Sequence, residues 1–258
     1  MTTPDISVVM ITQPSRVHFR KLALRCLANQ HSVPNAEVVI ALDDGAHLTV
    51  AEAKELTERF GVDNVKVVYG TWKTVPDKHN AAIAATRAPW VALWDDDDWC
   101  APDRLQVSYV ATNDSDIVGP STIHYHELIG DARRTLEFTT KAYVVDGASM
   151  FRRALWERTP FVPFRGPHPN AARWGTVGDW IVARAAQNHA RVAPVTFSYV
   201  AMVHAGNAST PARPFRVAAD GTVLDGPHDY RLVGGRDVAA GMTGEIMLRA
   251  YEHAFAAS

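Results

Sequence analysis

Four consecutive aspartates, Asp95, Asp96, Asp97 and Asp98, stand between Trp94 and Trp99 at the end of an apolar run, in the stretch VALWDDDDWCAPDRL. Neighbouring carboxylates ~4 Å apart repel by about 1 kcal/mol per pair in water and by about 4 kcal/mol at an effective dielectric near 20. Flanking tryptophans argue against full solvation, so a counter-charge is expected. Hard oxygen donors suit Mg or Mn, and such an ion is commonly completed by phosphate oxygens. A second acidic pair, Asp43 and Asp44, precedes Gly45 and reads either as a tight turn with an Asx hydrogen bond or as a ligand contact.

The elements that must carry these groups alternate in type. Residues 6–11 are a continuous apolar run of buried-strand character, followed by Phe19, Leu22, Ala23, Cys26 and Leu27 at helical spacing. Residues 37–42 repeat the strand signal. Thr49 and Glu52 form a capping box that opens a helix over 50–60, closed by Gly61. A third strand over 65–69, a helix over 76–87, a fourth strand over 90–94 and a helix opening at Pro102 complete the series. Repeated strand-helix units require a mostly parallel α/β sheet with helices on both faces. In such a sheet ligands sit beyond the carboxyl ends of the strands, which is where both acidic groups fall.

The second half is less regular. Residues 117–118, 122–127, 135–139 and 148–152 read as strands, 179–188 as a helix, and 192–203 as strand again. Asp220 and Gly221 suit a hairpin turn, and 238–255 read as one amphipathic helix packed on the domain or on a second copy of the chain as a homodimer. Of 258 residues, 47% are hydrophobic and 21% charged, with a formal charge of -2. That balance gives no electrostatic footprint for nucleic acid. Two cysteines, no basic-apolar leader and no apolar run of ~18 residues point to a cytoplasmic protein without a membrane span. His124 and His126 alternate on one strand without a supporting Asp or Cys and read as structural.

Four segments in order, SVVMITQPSRVHFRKLALRCLANQ, EVVIALDDGA, HNAAIAATRAPWVALWDDDDWCAPDRL and VGDWIVARAA, resemble the inverting glycosyltransferases of family two. The resemblance covers roughly residues 5–205. It implies the GT-A fold: a Rossmann-like, mostly parallel central sheet flanked by helices, with a smaller mixed β region on the acceptor side. One domain would then span 1–258, with a nucleotide-sugar-binding half (1–120), an acceptor-side half (121–235) and a C-terminal helix (236–258). The implied reaction moves a sugar from a nucleotide diphosphate-sugar to an as yet unidentified acceptor hydroxyl.

By the same resemblance, Thr12 and Gln13 would contact the nucleobase, although this chain reads Ile11-Thr12-Gln13-Pro14 where the family reads Pro-Thr-Tyr-Asn. Asp44 would accept from a base imide N–H of the uracil or thymine type, and Lys78 would lie near base or phosphate. In the Asp-x-Asp motif, Asp95 or Asp96 would hold the ribose and Asp97 the metal, with the register open by one. Asp179, preceded by Gly178 where many members have Glu, would be the catalytic base. His204 would be a further metal ligand, and a carboxylate-imidazole set favours Mn over Mg. Residues 211–215 would fold over the nucleotide, while Trp99 and Trp174 would stack on sugar or lie in the core.

Two rival readings share the fold. A sugar-phosphate nucleotidyltransferase wants a Gly-rich basic loop after the first strand, and ITQPSRVHF contains no glycine. A catalytically inactive nucleotide-binding domain has no need of Asp44, Asp97, Asp179 and His204 together.

Overall fold

The computed structural model describes residues 2–140, 144–163, 180–181, 183–184, 190–205, 215–220, 222–224 and 230–256. Strands β1 (Ile6–Ile11), β2 (Ala36–Asp43), β3 (Val65–Gly70) and β4 (Trp90–Trp94) arise from the continuous apolar runs, and each pairing among them is parallel. With β6 (Ile117–Pro120), β9 (Met150–Arg152) and β10 (Val192–Val195) they form, among the described residues, a seven-stranded sheet ordered β10-β6-β9-β4-β1-β2-β3. Only β9 runs antiparallel to its neighbours. Chain order proceeds outward from β1 through β2 and β3, then switches to β4 on the other side. The switch point therefore lies between the carboxyl ends of β1 and β4.

Alternate residues of β1 enter different cores. Ile6, Val8 and Met10 pack with α1 (Val17–Ala28) and α2 (Val50–Phe60), whereas Val9 packs on the opposite face with α3 (Val75–Ala84) through Ala82 and Ile83. The capping box forms as the sequence predicts: the Thr49 side chain accepts from Glu52 N, and Glu52 Oε2 accepts from Thr49 N at 2.7 Å. The same buried Glu52 takes a bidentate pair of hydrogen bonds from Arg20 at 3.0 and 2.9 Å, which locks α2 to α1.

Among the described residues a second, five-stranded sheet is ordered β12-β8-β7-β11-β5, from β5 (Trp99–Cys100), β7 (Thr122–Glu127), β8 (Thr135–Thr139), β11 (Tyr199–Val203) and β12 (Tyr230–Gly234). It mixes parallel and antiparallel pairs, matching the smaller β region expected. The four aspartates occupy the four-residue gap between β4 of the first sheet and β5 of the second, so both sheets fix their backbone.

Several boundaries differ from expectation. The helix over 76–87 ends at Ala84, and α4 (Arg104–Val110) begins after Pro102 rather than at it. The short β5, the strand β12 and the helix α5 (Arg153–Arg158) carry no periodic signal long enough to read. The strand over 192–203 is two, β10 and β11, in different sheets. The C-terminal helix is also two, α6 (Arg236–Thr243) and α7 (Glu245–Ala256), because Gly244 adopts φ 81°, outside the right-handed helical region. Its apolar stripe packs on the domain, with Leu248, Tyr251 and Ala254 buried. Trp94 and Trp99 are core residues, and His126 bonds Thr135 Oγ1 at 3.0 Å, in keeping with a structural role.

Candidate active site

At the tip of β2, residues 43–46 close a turn through Ala46 N to Asp43 O at 3.0 Å, with Gly45 at φ 83°. The backbone makes a turn here, which leaves the Asp44 carboxylate at the rim, where it accepts from Thr71 Oγ1 at 2.7 Å. Lys78, buried at the start of α3, donates to the Thr12 carbonyl and to Asp43 Oδ1 at 2.8 Å. Its ammonium also lies 4.9 Å from the centre of the Trp72 ring. Lys78 therefore ties the ends of β1 and β2 together beside Asp44. Gln13 is exposed on the loop that follows, and Thr12 is buried.

That loop carries a residue the sequence reading passed over. Arg16, the residue immediately before α1, places Nη1 2.7 Å from Asp96 Oδ1 and 2.9 Å from Asp97 Oδ2. Asp97 Oδ2 is also 3.0 Å from His204 Nε2, directly after β11. The His204 ring stacks on Phe19 of α1 with centroids 4.3 Å apart, which fixes its plane. A run of contacts thus joins Asp43, Lys78, Thr12, the β1 loop, Arg16, Asp96, Asp97 and His204 across the switch point.

The four carboxyls are not alike. Burial works to raise the pKa of Asp97, but the Arg16 charge and the His204 hydrogen bond outweigh it and hold the group below the ordinary carboxylate range. Asp96 is raised by burial; Arg16 opposes this and the adjacent Asp97 adds to it. Its Oδ2 and the Thr12 hydroxyl are both buried without a partner of full hydrogen-bond geometry, although the hydroxyl lies close enough to favour the charge. Asp98 is pushed well up by burial, then by Asp97 and Asp95.

The hydrogen bonds around Asp98 point the same way. The Tyr199 hydroxyl touches both Asp98 Oδ2 at 2.5 Å and Asp95 Oδ2 at 2.8 Å, yet a phenol has one proton. One phenolic proton cannot serve both oxygens fully, so a proton held by Asp98 and given to Tyr199, with Tyr199 donating to Asp95, would satisfy both contacts. Asp98 Oδ1 accepts from Met202 N at 2.9 Å, and the Asp98 carbonyl accepts from Tyr251 of α7 at 2.7 Å. With its carboxyl neutral, Asp98 is a strut between the acidic loop and β11. Asp95 lies against Gly147, where any Cβ would collide with its Oδ2.

The donor set near the switch point includes Asp97 Oδ2 and His204 Nε2, 3.0 Å apart. An octahedral ion with bonds of about 2.1 Å sets adjacent donors about 3.0 Å apart, so this pair fits two neighbouring coordination positions. Among the described residues no group of three or more His, Cys, Asp or Glu is arranged to hold a metal. Asp179, Trp174 and the segment 211–214 lie outside the described residues. Phe215, which follows that segment, is anchored by its N–H to the fully buried Glu127 Oε1 at 2.6 Å.

Comparison with known proteins agrees with this architecture. Residues 7–167 match the model of "Glycosyl transferase family 2". The fold is GT-A, and the chain belongs to glycosyl transferase family 2. Among solved structures, S. aureus TarS 1-349 in complex with UDP-GlcNAc superposes with TM-score 0.54 at 18% identity, over 82% of this chain and 62% of that one. The mannosyltransferase PcManGT from Pyrobaculum calidifontis, in complex with GDP-Man and Mn2+, gives TM-score 0.54 at 16% identity, over 79% of this chain and 58% of that one. The chain thus spans about three fifths of the length of these two structures. Comparison with curated proteins finds no match. No helix among the described residues is long and apolar enough to cross a membrane.

Proposed function

We propose that the protein is an inverting glycosyltransferase that moves a sugar from a nucleoside diphosphate-sugar to an acceptor hydroxyl. The observation that carries the reading is the convergence of Thr12, Lys78, Asp96, Asp97 and His204 at the strand-order switch, with Asp44 at its rim. Family membership and neighbours solved in complex with nucleotide-sugars support it.

Asp44, oriented by Thr71, is suited to accept from the imide N–H of a uracil- or thymine-type base. Lys78 holds the base end of the pocket in shape. Asp96, whose Oδ2 has only the Thr12 hydroxyl close by, is the better candidate for a ribose hydroxyl than Asp95, whose Oδ2 is taken by Tyr199. Asp97 and His204 would hold a divalent cation; when bound, it would supply positive charge for the leaving diphosphate. Mn suits the imidazole better than Mg does, and His204 must present a deprotonated Nε2 to ligate.

Asp179 is proposed as the base. It would take the acceptor hydroxyl proton as that oxygen attacks the anomeric carbon from the side opposite the diphosphate, so one displacement inverts the centre. Isothermal titration with UDP, dTDP and GDP, with and without Mn2+, tests the reading. Micromolar binding of one of them is expected, and binding of none would refute it.

A further inference from the structure

Arg16 bears on how the acidic site accepts any cation at all. Its Nη1 spans Asp96 Oδ1 and Asp97 Oδ2, and its side chain is 12% exposed. The Asp97 oxygen that faces His204 is therefore already neutralised by a cation belonging to the protein. A divalent ion ~4 Å from a guanidinium is repelled by about 8 kcal/mol at an effective dielectric near 20. The two cannot share that oxygen unless an anion enters between them. A diphosphate is such an anion, and a guanidinium binds phosphate oxygens in bidentate geometry better than any other side chain. Arg16 stands on the loop between β1 and α1, beside the switch point where the diphosphate would lie.

We propose that Arg16 is an exchangeable counter-cation: it holds Asp96 and Asp97 while the site is without donor, and passes to the donor diphosphate as the metal enters. Metal and nucleotide then bind as one coupled pair. This rests on the assignment of Asp97 and His204 as metal ligands, and it adds Arg16 as a residue that contacts the diphosphate.

The test is Mn2+ binding followed by the electron paramagnetic resonance of the free ion, with UDP or GDP absent or saturating; Mn-nucleotide complexes in solution are measured separately. For the wild-type protein, the nucleotide that binds should tighten Mn2+ at least tenfold, and Mn2+ should tighten that nucleotide by the same factor. Arg16→Gln should bind Mn2+ alone at least tenfold more tightly than wild type and lose most of the coupling, whereas Arg16→Lys should retain weak binding of the metal alone. Should Arg16→Gln fail to fold, Arg16→Lys decides: it keeps the charge but not the bidentate fork, so Mn2+ alone should stay weak while the coupling to nucleotide falls, and wild-type coupling in Arg16→Lys would overturn the exchange. Tight Mn2+ binding to the wild type that neither nucleotide nor Arg16→Gln alters would overturn the exchange and leave the metal assignment standing. Nucleotide binding with no Mn2+ binding under any condition would remove the metal assignment, and the exchange with it.

Discussion

The protonated state of Asp98 can be tested by one atom. In Asp98→Asn the Oδ1 acceptor for Met202 N–H remains, and an amide N–H replaces the acid proton that a neutral Asp98 would give to Tyr199 across their 2.5 Å contact. Both bonds survive, so the variant should lie within about 1 kcal/mol of wild type. Asp98→Ala leaves the Met202 N–H and the Tyr199 hydroxyl buried without this partner, at about 1–3 kcal/mol for each, or about 2–6 kcal/mol together. For a domain of this size about 2–4 °C of Tm accompanies each kcal/mol, so Ala should lower Tm by roughly 4–24 °C and Asn by no more than about 4 °C. Thermal and urea unfolding monitored by circular dichroism at pH 7 give both numbers. If Asn were as damaging as Ala, the site would need the Asp98 charge, and the description of Asp98 as a neutral strut would be wrong.

Three other outcomes follow from named contacts. Gly147→Ala should displace Asp95 from Tyr199, costing about 1–3 kcal/mol in unfolding experiments and weakening nucleotide binding in titration calorimetry; unchanged values in both would show that the loop yields without strain. Asp179→Asn should keep donor binding and lose transfer by ~100-fold or more; near-native transfer would show that another group removes the acceptor proton. Glu37 is buried, which works to raise its pKa, yet hydrogen bonds from Ser7 at 2.6 Å and Arg87 at 2.8 Å hold it below its usual value. Its stabilisation is therefore present above the unfolded value of about 4.3 and lost as pH falls through the lower folded value. Glu37→Gln should be destabilised at pH 7, with the gap to wild type closing as pH falls below the unfolded value of about 4.3; a gap that stays constant as the solution is acidified would contradict the assignment.

How much of this was legible in the sequence depended on the length of the signal. The parallel strands β1 to β4 read clearly because burial on both faces makes them unbroken apolar runs, and α2 read to the residue because its capping box is local chemistry. Two-residue β5 has no period to detect, and the break at Gly244 lies inside a stripe that continues across it. The acidic tips were placed correctly by the topology of open sheets. Arg16, Tyr199 and Tyr251 were missed because each meets the aspartates across a large sequence separation: 80 residues for Arg16 to Asp96, 101 for Tyr199 and 153 for Tyr251 to Asp98. Arg16 alone left a usable trace. It is the one basic residue in the loop ITQPSR, and a parallel sheet with its switch at β1 brings that loop to the end of β4.

Tyr251 ties the timing of folding to the site. Its hydroxyl caps the Asp98 carbonyl from α7, and its ring lies 6.4 Å from Phe19, which in turn backs His204. During synthesis the acidic loop emerges long before this support, so the ribosome-bound chain carries four crowded aspartates whose final arrangement waits for a distant helix. Contacts of such long range are slow to form. The nascent protein should therefore pass through a stage in which its central sheet is built but its charge centre is still loose.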